Sequence, residues 1–234
     1  TFRGSMVTIV TRAMNMILRI GYLMSMARLL SPEDFGLVGM VSAIIGALAI
    51  FKDGGLGFVT VQRASISEKE ISTLFWLNIA IGLILCGMCI VLAPIISSFY
   101  TEIRLYWVTV ALSTTFVLNA VSVQHQALLS RQLRFTSLAT IEIISQLASI
   151  GVGILMAICG YSFWALVGSQ IASAAAGSAC SWFATKWIPG PPHRNVGVRS
   201  MLHFGTMLTL NNLVSYITNN LDKILLGRFW GAEA

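Results

Sequence analysis

MVTIVTRAMNMILRIGYLMSMARLL, residues 6–30, is the stretch that decides the fold class of this chain. A helix needs about 20 predominantly apolar residues to cross a bilayer, so this stretch is long enough to span one. It also carries Arg12, Asn15 and Arg19, whose spacing of i, i+3 and i+7 predicts one shared helical face. A charge at the centre of an isolated spanning helix costs about 2.5–3.5 kcal/mol. We therefore expect Arg19 to face a polar interior that other helices enclose.

The whole chain has the composition of an integral membrane protein. Of its 234 residues, 56% are hydrophobic and 10% are charged, whereas soluble domains carry about 25% charged residues. The net charge of +6 does not indicate nucleic-acid binding, because the basic residues stand at the ends of apolar runs. Cys86 and Cys89 match C-x-x-C, but no second cysteine pair or nearby histidine completes a metal site. We predict no metal and no cofactor.

Apolar runs separated by turn and capping signals predict six helices before a polar linker. Ser31-Pro32-Glu33-Asp34 and Ser67-Glu68-Lys69-Glu70 each place a serine three residues before an acid, which is typical of a helix start. Three glycines within residues 54–57 favour a loop or helix end, or else a helix broken at a cavity. The predicted helices cover residues 6–30, 33–51, 71–99, 105–130, 137–159 and 163–185.

The predicted fold class is all-α, a polytopic membrane helix bundle. Residues 1–185 form an N-terminal lobe of six transmembrane helices, residues 186–200 a cytoplasmic linker, and residues 201–234 the first helix of a truncated C-terminal lobe. The distribution of lysine and arginine sets the orientation, with nine on one side and four on the other. The more basic side predicts a cytoplasmic N-terminus.

Arg12 and Arg19 are the strongest candidates for a binding role, with Asn15 between them. A guanidinium makes bidentate hydrogen bonds to phosphate or carboxylate and stays charged in any site. The alternatives are snorkelling to the interface for Arg12 and a structural ion pair for Arg19. Glu142 is a candidate for proton coupling, although it also suits an ion pair with a nearby arginine or a position in interfacial water.

The seventh predicted helix, residues 201–228, is unusually polar. Its polar residues suit a wet cavity wall or sugar hydroxyls, and the alternative is hydrogen bonding between helices. No nucleophile elbow, P-loop, H-E-x-x-H motif or carboxylate pair occurs, so we predict no catalytic residues and no enzyme. The candidate cavity residues on this helix are Asn211, Asn212, Ser215, Asn219 and Asp222.

Five stretches in order along the chain resemble the polysaccharide flippases of the MOP exporter superfamily, the O-antigen and colanic-acid type of lipopolysaccharide transporter. They are ARLLSPEDFG at 27–36, GGLGFVTVQR at 54–63, STLFWLN at 72–78, RQLRF at 131–135 and NNLDKILLGR at 219–228. The resemblance implies a multi-pass transporter of the bacterial inner membrane, with about twelve helices in two lobes that alternate access around a central cavity.

The resemblance also implies the substrate and the partners. The substrate would be a polyprenyl-pyrophosphate-linked oligosaccharide repeat unit, with Arg12 and Arg19 on the pyrophosphate and the seventh helix on the sugar. Membrane lipids surround such a protein, and contact with the polysaccharide polymerase machinery is a further expectation. One alternative is a multidrug or organic-cation antiporter, which would need acidic cavity residues. Another is a membrane polysaccharide polymerase or ligase, which would need longer outward loops than this chain has.

Overall fold

The computed structural model describes residues 2–49, 51, 56–63 and 66–193, and the regular structure within them is entirely helical. This confirms the all-α fold class. The predicted seventh helix, residues 201–228, lies outside the described residues. In chain order the helices are α1 (Phe2–Leu29), α2 (Pro32–Ala49), α3 (Leu56–Gln62), α4 (Glu68–Phe99), α5 (Arg104–Arg131), α6 (Phe135–Ile158) and α7 (Trp164–Thr185).

Both predicted capping signals form at helix starts. The backbone N–H and hydroxyl of Ser31 donate to the Asp34 carboxylate at 3.0 and 2.8 Å, and the Asp34 N–H donates back to the Ser31 hydroxyl. At the start of α4 the Ser67 N–H donates to Glu70 Oε2 at 2.7 Å, and the Glu70 N–H donates to the Ser67 hydroxyl. Each box satisfies backbone donors that the first helical turn leaves unpaired.

The short helix α3 was not predicted. The glycines within residues 54–57 predicted a loop, a helix end or a helix broken at a cavity, because glycine disfavours helix, and residues 58–63 were expected to lead back to the interface. The structure instead buries Leu56, Val59 and Thr60 on one face of a short helix, and this i, i+3, i+4 spacing is helical. Burial against α4 and α5 outweighs the weak local propensity.

Helix α5 is the centre of the bundle and contacts α2, α3, α4, α6 and α7. Its largest interface is with α4, where the backbones approach closely because Gly82 packs on Ala120 and Phe116. Among the described residues, α4, α5 and α6 are long and apolar enough to cross a membrane. Helices α1, α2 and α7 match predicted spans in position, and their membrane crossing stays a prediction.

Polar contacts tie the turns together at the two ends of the bundle. At one end the Ser162 hydroxyl donates to Asp34, and Arg104 bridges Glu33 and Glu102 at 2.7 and 2.8 Å. At the other end, here called the basic end, Arg131 and Arg134 donate to backbone carbonyls of other elements. Contacts between residues that are distant in sequence therefore hold the turns and helix ends together at each end of the bundle.

Residues 186–193, the first part of the predicted linker, pack along the start of α4; we call this segment the strap. The Trp76 indole donates to the Gly190 carbonyl at 2.9 Å, and the Gly190 N–H donates to the Ser72 hydroxyl at 3.0 Å. The His193 N–H donates to the Thr73 hydroxyl at 3.1 Å. Hydrogen bonds to α4 thus hold the strap in place. The linker boundaries predicted at residues 186 and 200 stay predictions.

Candidate functional site

The predicted binding arginines lie on α1, the least covered of the long helices. Helix α1 packs chiefly against α6, and the contact is close where a Cβ on Gly153 would lie 2.6 Å from the Tyr22 hydroxyl. Arg12 and Arg19 lie beside that packed stripe with exposed side chains. Neither forms an ion pair or hydrogen bond with another residue of the described part of the chain. A bound anion would therefore meet two uncompensated guanidinium groups on one side of α1.

Asn15 differs from the two arginines in its surroundings. Its side chain is half-buried, and both amide atoms are shielded from solvent without a hydrogen-bond partner among the described residues. The spacing places the three residues on one side of the helix, but the Asn15 amide is shielded from solvent whereas the two arginines are exposed. A buried amide without a partner carries a free-energy cost of about 1–3 kcal/mol.

The remaining predicted site residues are more scattered. Glu142 is exposed on α6 and forms no ion pair with any described residue. Its sequence neighbour at the basic end, Arg134, instead donates to the Ala184 carbonyl at 3.1 Å. The five candidates on the seventh predicted helix, Asn211, Asn212, Ser215, Asn219 and Asp222, lie outside the described residues.

Sequence reasoning missed a polar connection between α3 and α5. Arg131 donates through Nη1 to the carbonyls of Thr60 at 2.8 Å and Arg63 at 2.6 Å, and so caps the carboxyl end of α3. The Thr60 hydroxyl donates to Gln124 Oε1 at 2.8 Å within the core. Arg63 in turn pairs with Glu70 at 2.7 Å. The sequence signal that could have revealed this connection is Gln124, a polar residue inside a predicted span. A fully buried amide needs a hydrogen-bond partner on another helix.

A second buried amide lies on α4. Asn78 is completely buried, and neither amide atom has a partner among the described residues. Gly82, one turn further along α4, contacts Ala120 of α5, and Gln124 lies one turn beyond Ala120. Because α4 and α5 run antiparallel through a short turn, Asn78 and Gln124 occupy the same level of the bundle. The buried amide groups of Asn78 and Gln124 that lack a protein partner are suited to bind an ordered internal water.

His125 lies in an aromatic cluster rather than in a relay of titratable groups. Its ring is fully buried and stacks on Trp182 at a centroid distance of 4.4 Å. Phe75 and the strap residue Trp187 contact it edge-on at 5.8 and 5.3 Å. Nδ1 lies 3.2 Å from the Val121 carbonyl. These surroundings give His125 a structural role, in which it packs α5 against α4, α7 and the strap.

The C-x-x-C pair on α4 divides between two environments. Cys89 is buried beside Leu85 and Phe116, and Cys86 lies 3.4 Å from the Ser113 hydroxyl. Across residues 2–49, 51, 56–63 and 66–193, no three His, Cys, Asp or Glu side chains lie close enough together to hold a metal ion.

Comparison with known proteins places the chain beside bacterial polysaccharide proteins. A family described as "Polysaccharide biosynthesis protein" matches residues 25–234. The teichuronic acid biosynthesis protein TuaB of Bacillus subtilis is 33% identical over 187 residues, which cover 79% of this chain and 39% of TuaB. The lipopolysaccharide biosynthesis protein WzxC of Escherichia coli is 29% identical over 213 residues, covering 88% and 42%.

A third relative carries a transport description. The succinoglycan biosynthesis transport protein ExoT of Rhizobium meliloti is 22% identical over 207 residues, covering 88% of this chain and 42% of ExoT. The chain thus spans about two fifths of the length of the curated relatives it matches. No solved structure matches it significantly.

Proposed function

The chain belongs to the polysaccharide biosynthesis protein family, and from this premise we propose that it is part of a flippase for polyprenyl-pyrophosphate-linked oligosaccharide repeat units. The family resemblance expected from the sequence is thereby confirmed. The protein is embedded in a membrane, in keeping with its apolar helices. The proposed location is the bacterial inner membrane with a cytoplasmic N-terminus, and the proposed activity is transport rather than enzymatic catalysis.

The observation that carries the proposal is the pair of open guanidinium groups on α1. Arg12 and Arg19 are exposed and without a carboxylate partner among the described residues. A guanidinium facing acyl chains is costly, so the arginines are best explained by polar surroundings at that side of α1. A diphosphate supplies several acceptor oxygens in the geometry that guanidinium groups bind bidentately.

The mechanism follows from the position of this surface at the edge of the bundle. The curated relatives are more than twice as long as this chain, which leaves room for a second lobe that would cover α1. Rocking of the two lobes about a central site would expose the diphosphate alternately to each side of the membrane. In this proposal the polar residues between Asn211 and Asp222 line the opposing wall. Glu142, exposed on α6, is the candidate coupling carboxylate.

The test replaces Arg19 in the full-length protein and measures export of polymer in cells that lack any other flippase. Arg19→Ala should reduce surface polysaccharide at least about tenfold, because a hydrogen bond to a charged group contributes about 1.5–3 kcal/mol. Arg28→Ala is the matched control on the same helix, since Arg28 lies in its last turn and is also exposed. Membrane abundance, measured by immunoblot, should be equal for both variants. Normal export by Arg19→Ala would refute the assignment.

A further inference from the structure

A groove of about 330 Å³ lies between α3 and the second half of α5. Its volume falls at the lower end of the range of about 300–1,000 Å³ that is usual for ligand clefts. The side chains that define it come from two helices: Phe58 and Val61 from α3, and Asn119, Ser122, Gln126 and Ser130 from α5. The four polar residues of α5 follow the spacing i, i+3, i+7 and i+11, so they form one stripe along the helix.

This polar stripe belongs to a helix that is apolar enough to cross the membrane. Amide and hydroxyl groups of a spanning helix rarely face acyl chains, and they mark either protein contacts or a hydrated cavity. Here the groove is open, because Asn119, Gln126 and Ser130 keep part of their surface accessible. None of the described residues that line it is charged. The groove therefore suits a neutral polar ligand better than a diphosphate.

Each of the two amides of the stripe donates a hydrogen bond through its nitrogen and leaves its side-chain oxygen open. Asn119 donates through Nδ2 to the Thr115 carbonyl at 2.7 Å, within its own helix. Gln126 donates through Nε2 to the Ser181 hydroxyl of α7 at 3.3 Å. The amide oxygen of each accepts no hydrogen bond from any residue in the described ranges. Two acceptors about two turns apart on α5 are thus offered to a ligand that donates hydroxyl protons.

An aromatic ring stands at the rim of the same groove. Phe58 is 45% exposed although it belongs to a helix whose other face is buried. A sugar presents hydroxyl donors around its edge and C–H groups on its faces, so amide oxygens beside an aromatic ring match both parts. Val61, 37% exposed, extends the apolar side of the rim.

The groove is held in shape by the contacts that anchor α3. Arg131 caps the carboxyl end of α3 through two carbonyls, and Thr60 is bonded to the buried amide of Gln124. These contacts fix Phe58 opposite Asn119 before any ligand arrives. A preformed site loses less conformational entropy on binding than one that must be ordered by its ligand.

We propose that the groove between α3 and α5 is a subsite for a sugar ring of the transported oligosaccharide. The inference rests on the proposed flippase function and adds where the neutral part of the substrate binds. Asn119 and Gln126 accept hydrogen bonds from sugar hydroxyls, and Phe58 covers one face of the ring. The charged part of the substrate stays with the arginines of α1, on a different surface.

The experiment uses cysteine labelling of the full-length protein in proteoliposomes, in a background without native cysteines. Val61→Cys reports on the groove from its rim and leaves both proposed acceptors in place. Thr140→Cys is the control in the separate groove between α6 and α7. The reagent is a permanently charged methanethiosulfonate, which reacts only with thiols that meet water. The probe ligand is the oligosaccharide repeat unit released from the polymer of the host cell, without its lipid.

We expect both cysteines to be labelled and only Val61→Cys to be protected by the oligosaccharide. At a probe concentration of twice its Kd, the labelling rate should fall about threefold. An unlabelled Val61→Cys would show that the groove faces lipid. Labelling without protection, or equal protection of both sites, would show that the groove binds no sugar. Each of these results overturns the subsite. The export assay on Arg19→Ala is independent, so failure of the subsite and failure of the flippase proposal remain distinguishable.

Discussion

The close approach of α4 and α5 at Gly82 makes a quantitative prediction about packing. A Cβ added to Gly82 would lie 2.6 Å from the Ala120 Cβ and 3.0 Å from the Phe116 carbonyl oxygen. Carbon atoms in ordinary contact lie about 3.5–4.0 Å apart, so Gly82→Ala must push the two helices apart by about 1 Å. The obstacle is partly backbone, which a change of rotamer cannot relieve. Overpacking of this kind costs about 1–3 kcal/mol.

Gly87 provides a matched control five residues further along the same helix. Nothing lies within 4 Å of a Cβ at Gly87, so Gly87→Ala changes only the conformational freedom of the backbone. That change favours alanine by about 0.5–1 kcal/mol in a helix, and it applies equally to Gly82→Ala. The difference between the two variants therefore isolates the packing cost. Gly82→Ala should be less stable than Gly87→Ala by about 1–3 kcal/mol.

The measurement is unfolding of both full-length variants in detergent micelles by titration with sodium dodecyl sulfate, followed by tryptophan fluorescence. Export by each variant in cells gives a second reading, because separation of α4 from α5 would also disturb the bundle around them. Equal stability of the two variants, or greater stability of Gly82→Ala, would refute the close packing on which the arrangement of α4 and α5 depends.

Two further predictions concern the strap and the turn before α5. Trp187→Ala should raise the hydrogen-exchange rate of the Gly190 amide about tenfold, because ring contacts worth about 0.5–1.5 kcal/mol each are lost. The control Trp107→Ala alters an exposed ring and should leave this rate unchanged. An unchanged rate in Trp187→Ala would contradict the packing of the strap on α4. Hydrogen bonds from Arg104 lower the pKa of the Glu102 carboxyl to about 2, whereas its pKa in the unfolded chain is about 4.3. The ionised Glu102 therefore stabilises the folded protein in full above about pH 4.3, and this stabilisation is lost as the pH falls through about 2. A nuclear magnetic resonance titration of the Glu102 carboxyl should find a higher midpoint in Arg104→Gln than in the wild type, although the backbone N–H of residue 104 still donates to the carboxylate. Equal midpoints would contradict the ion pair.

The helix boundaries could be predicted because their causes are local. Ser31 and Ser67 begin helices through hydrogen bonds to residues three positions away, and such bonds are visible in any sequence that has the right spacing. The long apolar runs fix the helix bodies in the same way, since a spanning helix satisfies its backbone internally. The predicted bounds therefore lie within a few residues of those observed, as for residues 105–130 against Arg104–Arg131.

The candidate site was predictable only in part. An arginine inside an apolar run is visible in the sequence. The expectation that other helices enclose Arg19 stays a prediction, because Arg12 and Arg19 are exposed on the described part of the chain. The groove beside Phe58 could not be predicted, because it exists only where α3 meets α5. No periodicity of residues 56–62 indicates that Thr60 bonds to Gln124, which is 64 positions away.

By itself the sequence determined the fold class, the order and extent of the long helices, and the resemblance to one protein family. These depend on hydropathy and on contacts between residues at most a few positions apart. Only the tertiary structure decided that α3 is a helix, that the strap lies on α4 through Trp76 and Gly190, and that the Asn15 amide is shielded from solvent while the arginines are exposed. The reason is that each of these depends on a surface supplied by a distant part of the chain, and the free energy of burying that surface outweighs the weak local preferences of the residues involved.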